Sequence, residues 1–190
     1  LQPIFSFKCR GAYNKISSLS SIDTDKGIIA ASAGNHAQGV ALSASKLRID
    51  AMIVMPTTTP SIKIESVKKF GVKVKLYGDS FDEAYEYALE VSNNEGRVFI
   101  HPFDDPLVIA GQGTVAKEIV EQSEEAPDIF FIPVGGGGLI SGMSMYLKEH
   151  YPNIKVYGVE SEDAPTLFTS LRNGKPTSLD QVGLFVDGCA

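Results

Sequence analysis

The residue with the clearest chemical potential near the start of the chain is Lys8, a lysine set among aromatic side chains. It stands in the run SFKCRGA, with Phe5 and Phe7 close before it. Burial disfavours the charged ammonium form, so an apolar pocket would lower the pKa of this lysine and free its amine for carbonyl chemistry such as Schiff-base formation. A solvated amine on a buried stem is the commoner arrangement for a lysine. Lys8 alone is therefore weak evidence for catalysis.

Four consecutive glycines form a second candidate, between the apolar run DIFFIPV and a helical stretch that begins LISGM. Glycine permits left-handed backbone and close approach, so N–H groups can converge on an anion at a helix N-terminus. The spacing fits neither a Walker loop nor the GxGxxG dinucleotide fingerprint. The pattern favours a mononucleotide or another phosphorylated cofactor over a plain turn, bound by Gly135, Gly136, Gly137 and Gly138.

A third candidate is the turn SAGNHAQG at residues 32–39. It places hydroxyl, amide and imidazole groups beside a predicted helix start, an arrangement that suits a carboxylate or a phenolic oxygen. Simple helix capping by Ser32 or Asn35 explains the same residues equally well. His36, taken by itself, is more often a structural histidine than a catalyst.

Short apolar runs alternate with helical stretches along the chain, and these elements must position the three candidates. This alternation is typical of βαβ units, with parallel sheets covered on both faces. Ligands of such sheets bind at the carboxyl ends of the strands, where both glycine-containing turns are expected. The pattern predicts strands at 27–31, 51–55, 72–77, 97–101, 128–134 and 155–159, helices at 12–19, 37–47, 60–70, 80–92, 114–122, 139–150 and 167–171, and a loop at 17–26.

Composition excludes several other classes of protein. The 190 residues carry a net charge of −6, which argues against a nucleic-acid or anionic-membrane surface. No apolar run is long enough to span a bilayer. The two cysteines, Cys9 and Cys189, lie far apart, so neither a disulfide scaffold nor a zinc site is indicated.

The segments SFKCRGA, SAGNHAQG and PVGGGGL, in this order, resemble the threonine dehydratase family of fold-type II pyridoxal-phosphate enzymes, the tryptophan-synthase-β-like group. The resemblance runs over essentially the whole chain and includes MPTTTP, YGDSFDEA, PFDDP, AGQGT and DQVGLFVDG. It implies a two-domain α/β enzyme with parallel or mixed sheets. The implied reaction uses pyridoxal 5′-phosphate to convert L-threonine, and also L-serine, to a 2-oxo acid and ammonia, as the first step of isoleucine biosynthesis.

The resemblance also implies roles for individual residues. Lys8 would hold the cofactor covalently and remove the α-proton, and Asn35 would hydrogen-bond the 3′-oxygen of the pyridoxal ring. The phosphate would lie on the backbone of Gly135, Gly136, Gly137, Gly138 and Leu139. The substrate carboxylate would lie on Ser32, Gly34, Asn35 and His36.

Two departures from related serine racemases narrow the implied chemistry. Ala33 stands where those relatives carry a serine that acts as a second base, so elimination is favoured over racemisation. Those relatives also bind a divalent metal with an acidic group in the segment after Glu160. Glu160 and Ala164 match that pattern here, but Thr166 occupies the place of the second acid. No metal is therefore expected.

Cys9, a thiol beside the expected active lysine, is a possible oxidation point.

By resemblance, residues 1–28 begin a large cofactor domain, 29–105 form a small domain, and 106–190 continue the large one. The chain is expected to be incomplete at both ends, and not to form a stable, active enzyme alone, because an interrupted sheet leaves an unpaired edge. The segments LQPIFSFK and MPTTTPSIKIESV are especially similar in sequence to plant enzymes of this family. A plastid location is therefore expected, with the cytoplasm as the alternative. The full-length protein is expected to be a homo-oligomer under allosteric control, with L-threonine as its partner and no nucleic acid or membrane.

Two other interpretations stay open. One lies within the same cofactor class: a catabolic serine/threonine dehydratase or a serine racemase. The other is a non-catalytic α/β module that binds a phosphorylated ligand through residues 135–138.

Overall fold

Each of two units in the chain is built on a parallel sheet. A computed structural model describes residues 2–179 and 182–183. The first unit is Leu1–Pro102 and the second is Phe103–Ala190. Cys189 and most of the DQVGLFVDG segment lie outside the described residues.

The first unit has four strands, all parallel, in the order β3-β2-β1-β4. The strands are β1 (Ile28–Ala31), β2 (Ala51–Met55), β3 (Lys73–Leu76) and β4 (Val98–Phe99). The helices are α1 (Lys8–Ser17), α2 (Ser21–Lys26), α3 (Asn35–Leu47), α4 (Ser61–Lys68) and α5 (Phe81–Glu95).

Strand β1 forms the centre of this unit, and all four of its residues are fully buried. Ile28 and Ala30 face a cluster that includes residues of α1 and α3. Ile29 and Ala31 face the opposite cluster, which includes residues of α5. The period-two alternation of side chains therefore serves two cores, one on each face. The predicted architecture of a parallel sheet covered on both faces is confirmed.

A cluster of charges lies at the amino ends of these strands. Asp50, just before β2, accepts from Arg97 Nη2 at 2.7 Å and lies 3.2 Å from Lys73 Nζ. The Arg97 hydrogen bond holds the pKa of Asp50 below its ordinary value. The carboxyl ends of β1 and β2, at the opposite edge, lead into the turns at residues 32–34 and 56–60.

The second unit contains one two-stranded parallel sheet among its described residues. Asp105 caps its first helix, and its Oδ1 accepts from Leu107 N at 2.8 Å and from Val108 N at 3.2 Å. The elements are α6 (Pro106–Gln122), β5 (Ile129–Pro133), α7 (Gly138–His150), β6 (Lys155–Val159) and α8 (Thr166–Asn173).

Helices α6 and α7 approach each other through glycine. A Cβ atom built on Gly113 would lie 2.8 Å from Gly142 O, and one built on Gly142 would lie 2.7 Å from Gly113 N. These separations are too short for any side chain. The two helices therefore cross with their backbones in contact.

Most predicted elements are present, and four differ. Helix α1 begins at Lys8 rather than at 12, because buried Cys9 extends its packed face one turn towards the N-terminus. Residues 17–26 were expected to be a loop but include α2, which Ser20 caps by accepting from Asp23 N. Helix α6 begins at Pro106 rather than at 114, because the Asp105 cap and a proline in the first turn start it, and Gly111 and Gly113 lie inside it. Strand β4 pairs only at Val98 and Phe99 instead of over 97–101. Within residues 2–179 and 182–183, no helix has both the length and the apolar character to cross a membrane.

Candidate functional site

Lys8 is the first residue of α1, and its amine has a defined position. Its Nζ donates a hydrogen bond to Pro102 O at 2.8 Å and lies 5.6 Å from the centre of the Phe7 ring. Phe5, by contrast, is 86% exposed and has a left-handed φ of 53°. Of Phe5 and Phe7, it is therefore Phe7 whose ring lies beside the amine.

The turn after β1 presents a helix start that no side chain caps. Ser32 Oγ accepts from Gly34 N at 3.1 Å, so this hydroxyl shapes the turn. Gly34 is the N-cap of α3 and offers no side-chain hydrogen bond. A Cβ built on Gly34 would meet nothing within 4 Å, and Asn35 beside it is exposed. The capping explanation for Ser32 and Asn35 therefore fails, and the first turn of α3 keeps backbone donors that no side chain caps, at the positive end of its dipole.

His36 is a buried, neutral histidine. Its side chain is only 3% exposed, and its Nε2 lies 2.9 Å from Ile100 O. Burial, with a smaller contribution from the nearby charge of Lys8, lowers the pKa of His36 to about 3. Since the ring is neutral, Nε2 carries the hydrogen and donates it to Ile100 O. The ring fixes the turn, so the backbone N–H of His36 is the group better suited to a carboxylate.

Glycine at position 39 brings the Lys8 helix and this turn together. A Cβ built on Gly39 would lie 3.0 Å from Lys8 C and 3.1 Å from Cys9 N, so α3 packs closely on the backbone of α1. The structure therefore holds the amine of Lys8 and the start of α3 in one unit. Gly39 was not singled out by the sequence reasoning.

The environment of Cys9 differs from that of a readily oxidised thiol. Its Sγ is buried and lies 3.4 Å from both Gln2 Oε1 and Ser6 O. Burial raises the pKa of the Cys9 thiol. Because the thiolate is the form that oxidises readily, this environment argues against Cys9 as an oxidation point.

The glycine-rich loop lies in the second unit, between β5 and α7. Gly137 has a φ of 83° and is the N-cap of α7, which no side chain caps. A Cβ built on Gly136 would lie 2.5 Å from ring atoms of Phe103, and one built on Gly138 would lie 2.9 Å from Phe103 Cβ. Sequence reasoning missed Phe103, because nothing local to PFDDP indicates that its ring meets the glycines.

These features fit a phosphorylated cofactor. Residues 135–139 carry no charged side chain, and the uncapped first turn of α7 offers backbone donors at the positive end of its dipole. Glu160 follows β6 at the same strand edge, yet its oxygens accept from Leu167 N at 2.7 Å and Phe168 N at 2.8 Å. The carboxylate therefore caps α8. Over the described part of the chain, no three histidine, cysteine or acidic side chains form a group that could hold a metal.

The predicted site residues thus fall into two sets. One set lies in the first unit: Lys8, Ser32, Gly34, Asn35 and His36. The other lies in the second unit: Gly135, Gly136, Gly137, Gly138 and Leu139.

Comparison with known proteins decides the family. The family model described as pyridoxal-phosphate dependent enzyme matches residues 1–190. The chain belongs to the pyridoxal-phosphate dependent enzyme family. Threonine dehydratase 1 biosynthetic, chloroplastic from Solanum lycopersicum is 57% identical over 190 residues, covering 100% of this chain and 31% of that protein. The L-threonine dehydratase biosynthetic IlvA of Pasteurella multocida is 53% identical, covering 100% of this chain and 37% of that protein.

Solved structures of this family agree in fold. The processed form of threonine deaminase isoform 2 from Solanum lycopersicum superposes with a TM-score of 0.97 at 53% identity, covering 100% of this chain and 52% of that chain. Maize serine racemase superposes with a TM-score of 0.94 at 36% identity, covering 98% of this chain and 56% of that chain.

These matches confirm three predictions: the α/β fold class of fold-type II enzymes, the resemblance to threonine dehydratases, and pyridoxal phosphate as the family's cofactor. The chain spans only about a third of the length of the curated relatives that it matches. The roles of individual pyridoxal-phosphate site residues stay predictions.

Proposed function

We propose that this chain is part of a threonine ammonia-lyase, which converts L-threonine to 2-oxobutanoate and ammonia. The observation that carries the proposal is the Lys8 amine, held 2.8 Å from Pro102 O in the same unit as the uncapped start of α3. Relatives named threonine dehydratase, at 50–57% identity, support this substrate.

Three parts of the chain would hold the cofactor. Lys8 would attach it covalently through Nζ, Asn35 would hydrogen-bond its 3′-oxygen, and the backbone of residues 135–139 would bind its phosphate. Bound pyridoxal phosphate supplies an electron sink that makes the proton on the substrate's α-carbon acidic enough to remove.

The chain's own groups would do the remaining work. The first-turn amides of α3, at Asn35 and His36, would bind the substrate carboxylate at the positive end of the helix dipole. Ser32 and Gly34, joined by the hydrogen bond from Gly34 N to Ser32 Oγ, would hold the turn in the shape that receives it. Lys8 Nζ would then take the proton from the α-carbon. Ala33 offers no base for the opposite face, which favours loss of the β-hydroxyl over return of a proton there.

The deciding experiment is to load the full-length protein with pyridoxal phosphate, reduce it with borohydride and map the labelled peptide. We expect a yellow protein with the label on Lys8, and Lys8→Ala should lose both the label and threonine turnover. Lys15→Ala, which removes another lysine of α1, should keep both. A wild-type protein that stays colourless would end the proposal. A phosphorylated ligand that binds Lys8→Ala unchanged would favour the non-catalytic module.

Serine racemisation is the second candidate, because maize serine racemase shares the fold at a TM-score of 0.94. Chiral product analysis with L-serine separates the two reactions. We expect pyruvate and ammonia without D-serine. Net formation of D-serine would replace the dehydratase assignment with a racemase one.

The remaining expectations belong to the same proposal. The division into a large domain (residues 1–28 and 106–190) and a small one (29–105) predicts a protease-sensitive boundary near residue 105 in the full-length protein.

A plastid location draws support from plant relatives named chloroplastic, whereas the relative from Saccharomyces cerevisiae is named mitochondrial. A fluorescent fusion of the full-length protein would test the location, and sedimentation would test the expected homo-oligomer.

A further inference from the structure

We propose that Phe103 is a positioning residue for the cofactor phosphate, acting through the shape that its ring imposes on the glycine loop. The glycine loop here means residues 135–139. This inference rests on the proposed function, because it takes that loop as the phosphate site. It adds a residue that would contact the loop and not the cofactor.

At three positions of the glycine loop, a different constraint excludes any residue larger than glycine. Gly136 has no positive φ, so its backbone would accept a side chain, but a Cβ there would lie 2.5 Å from Cγ and Cε1 of Phe103. Gly137 has open space around its Cβ position but a φ of 83°. Gly138 is blocked by the backbone of Phe103, whose O would lie 2.9 Å from a Cβ. The aromatic ring therefore constrains the loop specifically at Gly136.

This contact bears on phosphate binding because the loop has no side chains with which to hold an anion. Its donors are backbone N–H groups, and their direction depends on the path of the chain. The Phe103 ring limits that path on one side, while the start of α7 fixes the end of the loop. Displacement of binding groups by about 1 Å can cost on the order of a hundredfold in function.

The first test compares pyridoxal phosphate with pyridoxal in the full-length protein. Both compounds can react with Lys8, but only the first carries the phosphate. Phe103→Ala should raise the Kd of pyridoxal phosphate by about tenfold or more, as expected for misplaced donors. The Kd of pyridoxal, measured from the absorbance of the lysine adduct, should change less than about twofold, because pyridoxal has no phosphate for the loop donors to bind. A general structural defect would instead weaken both compounds equally, and that result would overturn the inference.

The second test uses pairs of substitutions. Gly136→Ala should lose pyridoxal-phosphate affinity because of the ring, and Phe103→Ala/Gly136→Ala should recover part of it, because the ring is gone. Gly137→Ala and Gly138→Ala are matched controls. Phe103→Ala should rescue neither, since one is limited by φ and the other by the Phe103 backbone and Cβ.

The outcomes separate this inference from the proposed function. A wild-type protein that takes up no pyridoxal phosphate would refute the proposed function itself. A wild-type protein that loads normally, with Phe103→Ala unchanged or with equal rescue at positions 136, 137 and 138, would refute only the role of Phe103. If Gly136→Ala fails to fold, the comparison of pyridoxal phosphate with pyridoxal in Phe103→Ala still tests the role of Phe103.

Discussion

Hydrogen bonds made by side chains shape the first of the two predicted binding regions, whereas packing and backbone conformation shape the second. In the Lys8 region, meaning Lys8 and residues 32–39, the amine bonds Pro102 O, the imidazole bonds Ile100 O and the Ser32 hydroxyl accepts from Gly34 N. The glycine loop has no titratable side chain, and its path follows the Phe103 ring and one left-handed glycine. Groups proposed for proton transfer are thus fixed by hydrogen bonds, and groups proposed only to bind an anion are fixed by packing.

This contrast predicts that acid lowers stability through the titration of the Lys8 region, and that the glycine loop, which has no titratable side chain, contributes nothing to the loss. His36 has a pKa of about 3 in the folded chain and an ordinary value of 6.5. Between these values the unfolded chain binds more protons, so stability should fall as pH drops from 6.5 towards 3, by up to about 1.4 kcal/mol per pH unit. Urea denaturation of the full-length protein at several pH values measures this slope.

His36→Gln is the matched variant for the pH experiment. Its amide can still donate to Ile100 O but does not titrate. Its stability should vary less between pH 6.5 and 4 than that of the wild type. Parallel pH curves for the two proteins would show that His36 is not the group responsible.

A larger side chain at Gly39 should separate α1 from α3 and disturb the Lys8 region alone. A Cβ at this position already lies 3.0 Å from Lys8 C. Gly39→Val should lower the free energy of unfolding by about 1–3 kcal/mol, as overpacking does, and should weaken covalent attachment at Lys8. Ser45→Val, at an exposed position of α3, should change stability by about 0.5 kcal/mol or less. Similar losses in the two variants would mean that the α1–α3 approach is not tight.

Glu160 tests whether a carboxylate next to the glycine loop takes part in binding. Its oxygens accept from two first-turn amides of α8. Glu160→Ala should cost about 1 kcal/mol of stability, as loss of a helix cap does. The Kd of pyridoxal phosphate should stay within about twofold of wild type, since a cap on α8 leaves the donors of α7 in place. Glu149→Ala, at an exposed position of α7, serves as the control, and a large change in Kd for Glu160→Ala alone would place Glu160 in the binding site.

The smallest effect is expected at the opposite edge of the first sheet. Arg97 holds the pKa of Asp50 below its ordinary value, so the stability due to Asp50 is present above the unfolded pKa and is lost as pH falls through the folded one. The Asp50 side chain is 47% exposed, so solvent screens the pair. Asp50→Asn should cost about 0.2–1 kcal/mol at neutral pH and nothing in strong acid. Asp25→Asn is the exposed control, and a loss that persisted in strong acid would contradict the ionic explanation.

Local sequence patterns were enough for much of the fold. The apolar run at 51–55 matches β2, and the helix predicted at 80–92 is present as α5. It starts with a capping box, in which Glu83 N donates to Ser80 Oγ at 3.2 Å and Ser80 N donates to Glu83 Oε2 at 3.1 Å. Such features depend on neighbours within a few residues, so a single sequence reveals them. The short helix α2 was missed because its six residues carry no apolar period.

Contacts between distant parts of the chain could not be predicted in this way. The bond from His36 to Ile100, the hydrogen bond from Lys8 to Pro102 and the packing of Phe103 on Gly136 each join residues that only the folded chain brings together. The sequence therefore proposes which residues carry chemistry, but does not show which groups hold them in place. That difference explains why Phe103 and Gly39 came from the structure alone.

The backbone crossing of α6 and α7 has a consequence for how the sequence can vary. Gly113 and Gly142 leave no room for even a methyl group, because backbone atoms of the facing helix, including Ile109 O opposite Gly142, occupy the space beside each Cα atom. In a deep mutational scan of the full-length gene, both positions should tolerate no substitution, while exposed Met145 on α7 should accept many. The crossing ties α7 to α6, and the first turn of α7 is joined to the glycine loop. Variation elsewhere on these helices can therefore accumulate without moving the end that we propose to bind phosphate.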